Sequence, residues 1–135
     1  MVTLWIGDFR TKQLQNIYKA AQQTAEYYYL VDDLAEQSWF IDNAITQLPA
    51  MELEKANVVI MLGFNDCVYS CIWDTFKANL IAEKYATTIN ELIKDYPDFN
   101  FYVCSVNPID ADYPFAEHEN GLITKKQLNE KIKLF

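Results

Sequence analysis

The sequence predicts an α/β fold, a three-layer α/β/α sandwich on a central parallel sheet, in one domain spanning residues 1–135. Three observations predict it. Short apolar or β-branched runs alternate along the chain with segments of helical periodicity. Residues 57–62 (NVVIML) are apolar at every position from Val58 to Leu62, as a parallel strand covered on both faces requires. The length suits one domain, and 51% hydrophobic residues supply its core. Three Gly and four Pro exclude a collagen-like or low-complexity chain.

Each element follows from local pattern. Residues 2–6 are an apolar run stopped by Gly7-Asp8, a buried strand entering a loop. Leu14, Ile17, Tyr18 and Ala21 fall at helical spacing, so a helix covers about 11–24. Residues 27–31 are aromatic and β-branched, a second strand closed by Asp32-Asp33. Trp39, Ile41, Ala44, Ile45 and Leu48 mark a helix that Pro49 ends. After the apolar strand come Gly63-Phe64-Asn65-Asp66. Asp74 is placed to cap a long helix with Ile81, Tyr85, Ile89, Leu92, Ile93 and Tyr96 on its apolar face, stopped by Pro97. Residues 101–106 form a fourth strand before Asn107-Pro108, and a polar loop runs to Gly121. Thr124 and Gln127 form a capping box for a last helix lined by Leu128, Ile132 and Phe135. It ends on the apolar pair Leu134-Phe135 in mid-helix. That ending is expected of a fragment of something longer, or of a face that a partner chain covers.

Charge narrows the function. Eleven basic residues against nineteen acidic ones give a formal net charge of -8, with Arg10 the single arginine. Phosphate backbones are neutralised by Lys and Arg, so nucleic acid and anionic membranes are not expected partners. No apolar run approaches the ~18 residues of a membrane span, and residues 2–6 are too short for a signal peptide core. Cys67, Cys71 and Cys104 are an odd number, which argues against a disulfide scaffold and for a reducing, cytoplasmic setting.

Open parallel sheets gather ligands beyond the carboxyl ends of their strands. Two such ends carry informative residues, Gly7-Asp8-Phe9-Arg10 and Gly63-Phe64-Asn65-Asp66. The Asn65 amide could offer N–H groups to a developing oxyanion. Asp8 or Asp66 could pair with Arg10, which could instead receive an anionic ligand. Asp8 and Asp66 could also form a carboxylate pair. His118 between Glu117 and Glu119 reads as a solvated loop histidine, Cys67 and Cys71 as buried thiols, and Ser38 and Ser70 as cap or turn formers. No metal or cofactor is expected. The tyrosines 27–29 read as core packing.

The two segments together resemble the SGNH hydrolases, the GDSL esterase and acylhydrolase superfamily. Gly7-Asp8 matches the start of that family's Gly-Asp-Ser block, and Gly63-Phe64-Asn65-Asp66 its Gly-x-Asn-Asp block. Softer likenesses are residues 99–108 (FNFYVCSVNP), like its fourth strand, and Ser38-Trp39-Phe40, like the start of its second helix. The resemblance implies a flavodoxin-like sheet and an acyl-transfer site in which the aspartates brace by hydrogen bonds. The catalytic parts carry over unequally. Phe9 stands where the family has its nucleophilic serine, and a phenyl ring cannot attack an acyl carbon. The family's glycine oxyanion donor falls at Asp33, Leu34 or Ala35. The family's base lies in Asp-x-x-His, whereas the residue three before His118 is Phe115. The resemblance therefore implies an inactive member serving as a binding or scaffold module for a small molecule or protein. Its remnant site would be Asp8, Phe9, Arg10, Gly63, Asn65 and Asp66. Two alternatives remain: an esterase seen as a fragment or inactivated form, and a structural subunit of a larger assembly.

Overall fold

The computed structural model describes residues 1–17, 26–70, 74–106, 117–118, 121–122, 129–130 and 132–133. Strand β1 (Val2–Gly7) is followed by α1 (Phe9–Ile17), β2 (Tyr27–Val31) and the short helix α2 (Gln37–Trp39). After β3 (Ala56–Met61) and a π-helical turn (Asp66–Ser70) come α3 (Thr75–Asp95) and β4 (Asn100–Val103). The four strands form one all-parallel sheet in the order β2-β1-β3-β4, so the chain is of the α/β class.

Register explains why one side of the sheet is the core. Leu4 lies level with Tyr28 on β2 and Val58 on β3, and Ile6 with Leu30 and Ile60. Val58 is in turn level with Phe101. Alternation puts these side chains on one face. Phe40, Ala44 and Leu48 close over it, with Tyr85, Ile89 and Leu92 from α3. Leu4, Val58, Ile60, Phe40 and Ala44 are fully shielded from water. On the other face Trp5, Val59 and Met61 are half-buried, so the apolar run of β3 is wholly covered on one side only. Trp5 and Tyr29, level across β1 and β2, stack there at 6.3 Å.

Several boundaries differ from the sequence expectation for identifiable reasons. Helix α1 starts at Phe9, two residues early, because the Asp8 carboxylate accepts from the Arg10 backbone N–H at 3.0 Å and so caps the helix. The expected single helix before Pro49 is broken. Gln37–Trp39 is α-helical, Phe40–Ile45 widens to a π-helix, and Pro49–Met51 tightens to a 3₁₀ turn. Glu52 then takes φ 52°, a left-handed exit. Asp74 does cap α3, accepting from Lys77 N at 2.9 Å. Tyr85, Ile89 and Leu92 of its apolar face are buried, but Ile93 is 46% exposed.

The fourth strand is shorter than expected, ending at Val103. Where a loop was expected before Gly121, Glu117–His118 pairs antiparallel with Gly121–Leu122 as β5 and β6, so His118 lies on a strand. Of the tyrosine triplet, Tyr29 is buried and Tyr27 exposed. Ile132 is buried, as the last helix's apolar face predicts. The expectations for residues 18–24, Cys71, Asn107-Pro108, Thr124, Gln127, Leu128, Leu134 and Phe135 fall outside the described residues.

Candidate functional site at the carboxyl edge of the sheet

From β1 the chain passes to β2 on one side, then returns across β1 to β3 on the other. Strand order therefore reverses between β1 and β3, where open α/β sheets leave a crevice beyond their carboxyl ends. The two segments singled out by sequence meet there. The Asp8 N–H donates to the Met61 carbonyl at 3.3 Å, tying the end of β1 to the end of β3. Gly63 turns the chain away with φ 107°, a region that side chains other than glycine rarely adopt.

Asp8 is fully buried and its charge is met by Arg10. Arg10 Nε donates to Oδ1 at 3.0 Å and Nη2 to Oδ2 at 2.8 Å, a two-point pair of the stronger kind. The guanidinium lies 5.8 Å from the centre of the Phe64 ring, within cation–π range. Phe9 meets Phe64 edge to face at 5.3 Å. Two half-buried aromatic rings and a guanidinium thus gather at this edge of the sheet.

Asn65 and Asp66 turn the other way. Asn65 Nδ2 donates to the Asp33 carbonyl at 3.0 Å and to the Ala35 carbonyl at 3.1 Å. An amide nitrogen has two hydrogens and both are engaged, so Asn65 staples the 33–35 segment to the β3 turn and has no N–H left for an oxyanion. The Leu34 and Ala35 backbone donors are occupied too. Leu34 N donates to Asp32 Oδ1 at 2.9 Å, and Ala35 N to the Asp32 carbonyl at 3.1 Å. The Asp66 carboxylate accepts from Gln37 N at 3.2 Å on both oxygens. Arg10 therefore pairs with Asp8, not Asp66. Burial pushes the Asp66 carboxyl up to about 6; the Glu36 and Asp8 charges add to this, and backbone N–H groups of Gln37 and Asp66 oppose it.

Sequence reasoning missed two groups here. Tyr85 was expected only as part of the apolar face of α3. Its hydroxyl is buried without a hydrogen-bond partner among the described residues and feels the charges of Asp66, Arg10, Cys104 and Asp8. Burial, then the Asp66 charge, raises its pKa. Gln37 is buried as well, its Nε2 equally without a partner among the described residues. Neither carries a sequence signal, because each reaches the site from an element remote in the chain.

Ser38 stands exposed on α2. Cys67 is a buried thiol next to Asp66 and Cys104 a half-buried one past β4. No three His, Cys, Asp or Glu side chains converge to hold a metal among the described residues. An open groove of about 690 Å³ runs between α1 and the end of β4, lined by Arg10, Leu14, Met61, Val103, Cys104 and Ser105, among others. A cavity of about 570 Å³ around Thr3, Tyr27 and Glu52 lies at the amino ends of the strands, away from the crevice. No described helix is long and apolar enough to cross a membrane. Comparison with family models, curated proteins and solved structures finds no match for this chain.

Proposed function

We propose that this chain is a flavodoxin-like, three-layer α/β/α domain resembling an SGNH hydrolase that has lost its reaction and acts as a binding or scaffold module. Phe9 carries the reading. It follows Gly7-Asp8 at the end of β1, in the place of the family's serine, and its ring packs on Phe64 at the mouth of the crevice. A phenyl ring offers no lone pair for acyl attack and fills space that an ester would need. The engagement of both Asn65 amide hydrogens with backbone carbonyls supports the same reading, since oxyanion stabilisation needs a donor aimed at the developing charge. The Asp8–Arg10 pair and the Asp66–Gln37 contact suit a bracing role.

The test is exposure of the whole chain to a fluorophosphonate probe followed by intact-mass measurement, because that reagent reports an activated serine whatever the substrate. The expected result is an unchanged mass. A stoichiometric single adduct, mapped to Ser38, Ser70 or Ser105, would return the protein to the hydrolases and overturn the proposal.

A further inference from the structure

The groove between α1 and the end of β4 joins the chain's single arginine to a run of apolar side chains. We propose that it binds an amphipathic monocarboxylate, with the carboxylate on the open edge of the Arg10 guanidinium and an unbranched apolar tail along Leu14, Ile17, Met61 and Val103. This gives the binding-module reading a ligand class, and rests on that reading only in taking the ligand to be held and not turned over.

The head group follows from the geometry of Arg10. A guanidinium is a planar fork with five N–H groups. Asp8 takes two of them, Nε–H at 3.0 Å and one of Nη2 at 2.8 Å, which occupies one edge of the fork. The second edge, Nη1 with the other Nη2 hydrogen, has no partner among the described residues and matches a carboxylate at two points. Asp8 is fully buried, whereas the Arg10 side chain keeps 20% exposure, so the occupied edge is the inner one. The two Asp8 bonds and the Phe64 ring beneath fix the outer edge before a ligand arrives, which lowers the entropic cost of binding. The chain has 19 acidic residues against 11 basic ones, but none of the described residues lining the groove is acidic. Because Asp8 offsets the Arg10 charge, the attraction is short in range and directional, and selects a planar acceptor over a diffuse negative charge.

The tail follows from the walls. Ile17 is 71% and Val103 47% exposed, and Leu14 and Met61 are half-buried, so apolar surface remains to be covered. The volume of about 690 Å³ lies within the span of small-molecule sites. Each methylene that is fully buried tightens binding by roughly fourfold.

The experiment is calorimetric titration of the whole chain at pH 7 with octanoate, hexanoate and 1-octanol. Octanoate should bind at least about threefold tighter than hexanoate, for two methylenes in an open groove, and at least about tenfold tighter than 1-octanol, for the head group. Octanoate should also slow iodoacetamide alkylation of Cys104, a half-buried thiol that lines the groove, at least about threefold at saturation. Arg10→Lys keeps a cation for Asp8 but offers no second planar edge, and should weaken octanoate at least about tenfold. Ile17→Glu changes a side chain already exposed and sets a carboxylate in the groove; it should cost as much, and decides should Arg10→Lys not fold. No octanoate binding at about 5 mM, equal binding of 1-octanol, or undiminished binding to Ile17→Glu would overturn the assignment. Its failure leaves the non-catalytic reading standing, and a fluorophosphonate adduct would strike that reading while leaving the groove's affinity as measured.

Discussion

Replacing Gly7 with alanine tests how closely the ends of β1 and β3 approach and what that closeness is for. A methyl at this position would stand 2.1 Å from Thr11 Oγ1 and 2.6 Å from the Met61 carbonyl oxygen. Two relaxations are open to it, and they differ in cost. The Thr11 hydroxyl sits on a fully buried side chain without a partner among the described residues, so turning it away sacrifices no hydrogen bond but needs room the interior lacks. The Met61 oxygen is backbone, in register with Gly7, and accepts the Asp8 N–H, so moving it parts the strands where the crevice begins. Overpacking a filled site costs about 1–3 kcal/mol, and a lost backbone hydrogen bond about 1 kcal/mol. The sum is about 3 kcal/mol, or roughly 10 °C in Tm for a domain of this size. Urea unfolding followed by tryptophan fluorescence reads it directly. Thr11→Ala in the same chain should recover about 1 kcal/mol, the share belonging to the hydroxyl, and leave the Met61 share in place. A Gly7→Ala protein within about 0.5 kcal/mol of the parent would refute the close approach and, with it, the placing of the β1 turn against β3.

Two further outcomes follow from the same residues. Asp66 titrates higher folded than unfolded, so its contribution to stability is fully present below about pH 4 and is lost as pH rises through about 6. Asp66→Asn should therefore gain up to about 3 kcal/mol over the parent at pH 7 and nothing below pH 4, measured as paired Tm values across that range. Asn65→Ala removes one buried and one part-buried hydrogen bond and leaves the Asp33 and Ala35 carbonyls without that donor, so it should cost about 2–4 kcal/mol in chemical unfolding.

Much of the frame was legible because strand signals here are local. Residues 27–31 are aromatic or branched and bounded by polar residues, and β2 occupies that span. Asp74 is followed by a long amphipathic run and caps it as expected, because capping is decided within one turn. Legibility failed where packing overrides pattern. The periodicity of residues 39–48 fits a single α-helix, but the helix widens at Phe40–Ile45, where Phe40 and Ala44 are fully buried against the sheet. In the site, the meeting of the two glycine-led turns was readable from their positions after strands. The Asp8–Arg10 pair was one of two options, and proximity along the chain settles it. What Asn65 and Asp66 bind was not readable, since their partners lie 29 to 32 residues away and are backbone atoms that any residue could supply.

That choice of partners bears on what the crevice can do. A reactive centre keeps polar groups uncommitted and aimed outward at the place where charge will develop. Here the polar groups of the two turns bind inward: Asp8 to Arg10, Asn65 to two carbonyls, Asp66 to a backbone N–H. Beside them lie the half-buried edge-to-face pair of Phe9 and Phe64 and the guanidinium that Asp8 holds. Aromatic rings and an anchored guanidinium recognise by contact area, stacking and planar hydrogen bonding, none of which requires a bond to break. Tightening such a rim improves binding, whereas the same inward commitments would remove the donors that turnover needs. Under the proposed reading, the division between an inward polar set and an aromatic rim is the physical reason to seek a ligand for this site before a substrate.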